Sequence, residues 1–518
     1  MPYIGKYLLL LALFSQFRIF AQQAPIQRIS GVKPTNVIFI LSDDHRYDFM
    51  GFTGKVPGLT TPNMDRMGTR GVHLANTFVT TSLCSPSRAS ILTGQFSHVH
   101  EVIDNQAPAK PDLIYFPQYL QTAGYQTSFF GKWHMGNDSV EPRPGFTHWE
   151  SFRGQGQYYN PQLNINGVQH QYGDSTYITD LLTDHALEWL QNRKKDQPFF
   201  MYLSHKAVHA EFNPSKRHTG KYAKQPIDYP PTMYPPDVDI NSYQSVTAPK
   251  PTHQQIQKAK GIGYNYALTP DWVKAQRFSW HGVDYMYNGT IEFNDFYRRY
   301  LETLLAVDES IGQLLNYLEE NKLLDNTVVF YMGDNGFSFG EHGLIDKRQA
   351  YEESMRVPLL AIGGGIKSPQ KVNALIQNID IAPPILELAG VKTPSNMQGQ
   401  SFLPMLRGQQ IGQWRDMIFY EYFWERPFPQ TPTMHAVRTD RYKFIRYHGI
   451  WDTNEFYDLE QDPWEANNLI FSPAHQEIIG KMNTALFDWL EGTNGLKMPL
   501  KAERYPRFFG DHRYGNTY

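Results

Sequence analysis

The hydrophobic positions of this chain follow two rhythms. Short unbroken apolar runs, rich in β-branched and aromatic residues, alternate with longer stretches that carry an apolar residue every three or four positions. Asn36 to Leu41 (NVIFIL) is the first run, of the kind that forms a strand buried on both faces. Gln126 to Phe130 is the second, after the amphipathic stretch Phe116 to Ala123. Pro198 to Ser204 (PFFMYLS) is the third, after the helix-like Asp180 to Arg193. Thr327 to Met332 is the fourth. Ahead of it Leu301, Leu304, Leu305, Ile311, Leu314, Leu315 and Leu318 share one helical face. Val357 to Ile362 is a fifth. Strand, helix and strand in succession predict an α/β fold, with a mostly parallel sheet and helices on both sides.

Two stretches depart from this rhythm. Ala210 to roughly Pro270 is rich in Pro, Tyr, Lys and Gln and reads as a long surface insertion near the binding face. After Gly408 the pattern changes to short antiparallel strands at Met417–Tyr422, His435–Thr439 and Tyr442–Tyr447. A helix follows, carrying Ile478, Ile479, Met482, Leu486, Trp489 and Leu490. We therefore expect a catalytic domain over 33–408 and a smaller α+β subdomain over 413–518. At the other end, Lys6, the apolar run Tyr7 to Phe14 and the small residue Ala21 form a signal-peptide pattern over 1–21, with an apolar run too short to span a bilayer. The expected location is the periplasm or outside the cell, with no membrane span.

Composition narrows this picture. The chain has 518 residues, 41% of them hydrophobic and 19% charged, which excludes a disordered or fibrous protein. A net charge of −3 gives no broad basic field for nucleic acid. The single cysteine, Cys84, excludes an intrachain disulfide framework and a multi-cysteine metal site.

In an open parallel sheet, ligands sit at the carboxyl ends of the strands. Four of the expected strands end in polar clusters there: Ser42-Asp43-Asp44-His45, Gly131-Lys132-Trp133-His134, His205 with His209, and Gly333-Asp334-Asn335-Gly336. Singly these are helix caps, turns or structural histidines; together they predict one shared site. Asp43, Asp44, Asp334 and Asn335 are hard oxygen ligands, which favour Ca²⁺ or Mg²⁺ over zinc, and the longer, flexible set leans to Ca²⁺. Lys132, His134, His209 and Lys347 add cationic and proton-transferring groups that suit a sulfate or phosphate ester. Cys84 precedes Pro86, a residue fit for the first turn of a helix, so it stands where the helix dipole favours an anion, with Arg88 one turn on.

Cys84, Pro86 and Arg88, followed by Leu92-Thr93-Gly94, resemble the hallmark of the formylglycine-dependent sulfatases of the alkaline phosphatase superfamily. The resemblance extends over Asn36–Asp44, Gly131-Lys132-Trp133-His134-Met135-Gly136, Asp334-Asn335-Gly336, Gly340-Glu341-His342-Gly343, Asp346-Lys347-Arg348 and Tyr457-Asp458-Leu459 with Asp462-Pro463, in the expected order. It implies an alkaline-phosphatase-like large mixed sheet. It also implies that a maturation enzyme oxidises Cys84 to formylglycine, whose hydrated form has one hydroxyl to attack sulfur and a second to release sulfate; a plain serine or cysteine would stall at the covalent intermediate. Carried over by motif, Asp43, Asp44, Asp334, Asn335 and residue 84 would hold Ca²⁺. Arg88 and Lys132 would hold the diol, and His134 would assist breakdown of the sulfated intermediate. His209 and Lys347 would contact the sulfate, with His209 protonating the leaving alcohol and His205 its competitor. The prolines that usually flank the His209 position are absent.

The resemblance further implies a sulfated carbohydrate substrate, with ulvan or another marine glycan expected and N-acetylglucosamine 6-sulfate of glycosaminoglycans as the alternative. Candidates for sugar contact are His98, His100, His205, Trp280, His281, Asp284, His342 and Arg348. Three rivals remain at this stage: a phosphodiesterase or phosphonate hydrolase of the same superfamily, a non-catalytic glycan-binding protein, and a hydrolase using Cys84 as thiolate.

Overall fold

A computed structural model describes residues 25–135, 139–241, 251–287 and 291–497; the signal-peptide stretch 1–21 and Gly136 lie outside them. Its centre is a ten-stranded sheet. Across the sheet the strands run Gln370–Val372, Val72–Leu74, Leu359–Gly363, Thr327–Gly333, Asn36–Ser42, Phe199–Ser204, Gln126–Gly131, His148–Ser151, Gln162–Ile165 and Val168–Gln171. The four inner strands Thr327–Gly333, Asn36–Ser42, Phe199–Ser204 and Gln126–Gly131, with His148–Ser151 beyond them, run parallel to one another. The fifth expected strand, Leu359–Gly363, pairs antiparallel with Thr327–Gly333, so the sheet is mixed.

The unbroken apolar runs have a direct structural meaning. Side chains alternate across a strand, and here both faces are covered. Val37, Phe39 and Leu41 enter one core, while Ile38 and Ile40 enter the other. Phe200 and Tyr202 alternate with Phe199, Met201 and Leu203 in the same way. The second face is covered by helices Ile178–Asn192 and Phe293–Glu320, the latter burying its predicted leucine stripe. The first face is covered by helices Cys84–Thr93, Phe116–Thr122 and Ala382–Leu388.

C-terminal strands Met417–Tyr422, Thr433–Thr439, Tyr442–His448 and Glu455–Asp458 form an antiparallel sheet in that order. One of its faces puts Ile418, Tyr420 and Ile445 into the first core. The other packs Val437, Phe444 and Phe456 against helix Gln476–Gly492. The fourth strand was not expected as such. The insertion after Ala210 is less superficial than its composition suggests: Phe212, Met233, Tyr234, Ile256 and Tyr264 are buried, and Phe212 packs on Phe296 and Phe337. Among the described residues no helix is long and apolar enough to cross a membrane.

Candidate active site

The four polar clusters meet because four adjacent parallel strands end in register. Ser42 lies beside Gly333, Leu41 beside Ser204, and Ser204 beside Gly131. The ladder runs one step past the strands: Asp334 N donates to Ser42 O at 2.9 Å, Lys132 N to Ser204 O at 2.8 Å and Asp43 N to Ala207 O at 3.0 Å. Glycine is required at 131, where φ is 106° and a Cβ would sit 1.9 Å from the Ser204 carbonyl oxygen. Four non-glycine residues at or next to the site, Asp44, His134, Asp346 and Arg348, have positive φ. Left-handed backbone of this kind is strained for such residues and clusters at functional sites.

Cys84 begins helix Cys84–Thr93 and is fully buried. Its thiol donates to Asp43 Oδ1 at 3.4 Å and accepts from Lys347 Nζ at 3.3 Å and Lys132 Nζ at 3.6 Å. Lys132 also bonds Asp43 and Gln155, and Lys347 bonds Asp44. Arg88, one turn into the helix, donates through Nε to Asp334 Oδ2 at 2.9 Å and through Nη1 to the Lys132 carbonyl and Ser204 Oγ, each at 2.6 Å. Asp334 Oδ1 accepts the Asp44 N–H at 3.0 Å, and Asn335 Nδ2 donates to Asp44 Oδ1 at 2.7 Å. His209 Nε2 lies 3.8 Å from Asp44 Oδ2. His134 is partly exposed as a residue but its ring Nδ1 is buried, and its carbonyl accepts from Ser85 Oγ at the helix start.

The sequence profile of the Sulfatase family matches residues 35–391. The chain belongs to the sulfatase family. It is thus a sulfuric ester hydrolase of the type I sulfatases, on the alkaline-phosphatase fold. A second profile, N-sulphoglucosamine sulphohydrolase, C-terminal, matches residues 340–491. Over 484 residues the sulfatase is 35% identical to N-acetylglucosamine-6-O-sulfatase of Bacteroides thetaiotaomicron, covering 84% of this chain and 83% of that one. It is 30% identical over 538 residues to human N-acetylglucosamine-6-sulfatase, covering 94% and 89%. A solved structure of a protein in complex with its substrate D-glucosamine-2-N,6-O-disulfate superposes with a TM-score of 0.76 at 32% identity, covering 90% of this chain and 100% of that one.

The sulfatase's own charges divide its carboxylates. Burial raises Asp43, but Lys132, His209, Arg88 and Lys347 outweigh it and hold the carboxyl well below its usual range. Asp44 is pushed up to about 7 by burial, against Lys347 and with the charges of Asp43 and Asp334. Burial, then Asp43, likewise raises Asp334. Lys132, Lys347 and Arg88 each pair with one of these three carboxylates, yet burial and mutual repulsion leave Asp44 and Asp334 raised, which favours a further cation among them. Asp44 Oδ2 and Asn335 Oδ1 are buried with no hydrogen-bond partner, as metal-facing oxygens would be. Ligand atoms of Asp43, Asp44, Cys84 and His209 all lie within 4.8 Å of one another. The donors therefore fit a hard divalent ion.

The expected sugar contacts separate into two groups. Near Lys347, His281 Nδ1 lies 3.2 Å from Asp346 Oδ2, and Arg348 bonds Asp346 and Glu425 over the Phe428 ring. Trp280 stacks on Phe428 at 5.1 Å. The other candidates are occupied elsewhere. His98 bonds Glu421 at 2.7 Å, His100 bonds Ser90 Oγ at 3.0 Å, and His205 faces Ser310 Oγ at 3.1 Å beneath the long helix. Asp284 pairs with Arg277 at 2.8 Å, and His342 stacks on Tyr351 at 3.9 Å. The geometry separates the two histidine competitors, since His209 and not His205 reaches the Asp44 carboxylate. Gln155, Glu425 and Phe428 were missed, and Asp346 was read only as part of the Asp346-Lys347-Arg348 motif, with no role at the site. Asp346 adjoins the recognised Lys347 in sequence; the other three carry no local signal and arrive from distant loops.

Proposed function

We propose that this sulfatase is exported, is matured at Cys84 and hydrolyses a 6-O-sulfate ester of a glucosamine-type sugar in a glycan. The observation that carries this is the Cys84 side chain held over Asp43 between the ammonium groups of Lys132 and Lys347. A cation-flanked position at the start of a helix suits a nucleophile that must meet an anionic ester. Burial, then the Asp43 charge, pushes the thiol up to about 12, so at neutral pH it stays protonated. That weighs against the thiolate hydrolase; the nucleophile of this reading is instead formylglycine, whose hydrate supplies the attacking hydroxyl.

Asp43, Asp44, Asp334 and Asn335 would hold Ca²⁺, which when bound supplies charge stabilisation to the sulfate oxygens. Arg88 holds Asp334 and the Lys132 carbonyl, so it fixes both walls of the pocket. Lys132 and Lys347 neutralise the sulfate. His209, driven well below its usual range by burial and then Lys132, is neutral until it receives a proton and sits by the leaving-group side in the family assignment. His134, similarly depressed by burial and then Lys132, is a neutral base for the diol as sulfate departs. Outside the sulfate pocket, Arg348, His281 and Trp280 form the sugar-facing group.

The relatives named above favour N-acetylglucosamine 6-sulfate over the expected ulvan. Turnover of a panel of defined oligosaccharides, from glycosaminoglycan and from ulvan, with the desulfated position read by NMR, tests this. Release of sulfate from ulvan fragments alone would sink the glucosamine assignment. A tryptic peptide containing residue 84 should be about 18 Da lighter than the cysteine form, the loss expected when CH₂SH becomes CHO. Active enzyme with unmodified Cys84 would refute the maturation step.

A further inference from the structure

Four lysines are buried among the described residues: Lys132, Lys206, Lys347 and Lys443. Three meet carboxylates. Lys132 pairs with Asp43, Lys347 with Asp44, and Lys443 with Glu352 and Glu465. Lys206 differs. It is 5% exposed, and the described residues give its ammonium no carboxylate partner; it lies over the Tyr158 ring at 4.7 Å. A buried cation normally requires a paired anion, and an aromatic face offsets its desolvation only in part.

Its location is specific. Lys206 lies on the turn after strand Phe199–Ser204, and its carbonyl accepts the His209 N–H at 3.0 Å. The Tyr158 hydroxyl donates to the His209 carbonyl at 2.7 Å, which fixes the ring on which the ammonium rests. Burial, then Lys132, lowers Lys206 to about 8, while Asp43, Asp44 and Cys84 draw it up, so it shares the field of the reaction pocket and remains mostly charged at neutral pH.

We propose that Lys206 is an anion-binding group of the substrate pocket, a third lysine whose ammonium awaits a sulfate or carboxylate oxygen of the substrate. That anion is either the scissile sulfate or a second acidic substituent beside it on the sugar. This rests on the sulfatase reading above and adds a residue to it.

The test compares matured wild-type enzyme with Lys206→Met, which keeps the apolar stem, and with Lys206→Arg, which keeps the charge. Substrates are glucosamine 6-O-sulfate and glucosamine 2-N,6-O-disulfate. The Met variant should lose roughly tenfold or more in kcat/KM, chiefly through KM, with unchanged circular dichroism, and the Arg variant should recover most of it. Equal losses on both sugars assign Lys206 to the scissile sulfate; a loss confined to the disulfate assigns it to the second substituent. Kinetics within twofold of wild type on both sugars overturn the proposal. Should Lys206→Met not fold, Lys206→Gln takes its place. Should wild type turn over neither sugar, the glucosamine reading fails separately. Calorimetric binding of inorganic sulfate and of the disulfate then decides, with weaker binding of either by the variant supporting Lys206 and equal binding of both overturning it.

Discussion

Cys84 shows how far one residue depends on its surroundings. Alone, a buried cysteine is a small apolar side chain. Here its thiol touches Asp43, Lys132 and Lys347 and opens a helix whose next turn supplies Arg88. Replacing it with serine leaves one hydroxyl where the proposed diol mechanism needs two. Cys84→Ser should therefore give at most a single turnover and a sulfated protein, about 80 Da heavier by mass spectrometry, the added SO₃ group. Sustained multiple turnover by that variant would count against the diol. Asp334 acts differently. It binds Arg88 through one oxygen and the Asp44 N–H through the other. Asp334→Asn keeps the shape and removes the charge, so bound metal, measured by elemental analysis, should fall together with activity. Full metal content in the variant would remove Asp334 from the ligand set.

Among the elements, the parallel strands do the positioning. Their ends are aligned by the ladder, so residues nearly 300 positions apart in sequence, such as Asp43 and Asp334, become neighbours. The C-terminal sheet is joined to this arrangement by a buried charge cluster. Lys443 on strand Tyr442–His448 lies 3.0 Å from Glu352 and 2.8 Å from Glu465, and Arg438 donates to Glu352 at 2.9 Å. Removing one member of such a cluster leaves the others charged in a dry interior. Lys443→Met should cost about 3–5 kcal/mol in denaturant unfolding, and a loss below about 1 kcal/mol would show that the cluster does not hold the C-terminal elements. At this scale much was legible. The apolar runs located all five central strands within two residues, because strands buried on both faces have no polar positions to blur them. The antiparallel direction of Leu359–Gly363 was not legible, since a strand's own residues do not record the direction of its neighbour.

Over the whole molecule, burial of histidines makes acid stability the most exposed property. His100, His205, His342 and His435 are each depressed to about 3, in every case by desolvation first. Below about 6.5 the unfolded chain takes up protons on these residues that the folded chain refuses, so the stabilisation is complete above 6.5 and is lost as pH falls towards 3. Each contributes about 1 kcal/mol of loss per pH unit below 6.5. His98 and His185, raised by Glu421 and Glu150 against their burial, act in the opposite sense, as do the carboxyls of Asp44 and Glu465, raised to about 7, and Asp308, raised to about 6, so these groups offset part of the histidine loss. The melting temperature should fall steadily between pH 7 and pH 5, and a flat profile would contradict neutral burial of the four. This contrast also shows what the amino-acid order carried alone. The α/β class, the core runs, and the meeting of Cys84 with the set of Asp, Asn, Lys, Arg and His around it were readable, because periodicity and short motifs are local. Which histidines were spent on packing was not: His98, His100, His205 and His342 are occupied by Glu421, Ser90, Ser310 and Tyr351, partners that a sequence does not announce. The places of Lys206, Gln155, Glu425 and Phe428 at or beside the pocket were likewise settled by folding, because each is brought there by strand register and loop packing between segments far apart in the chain.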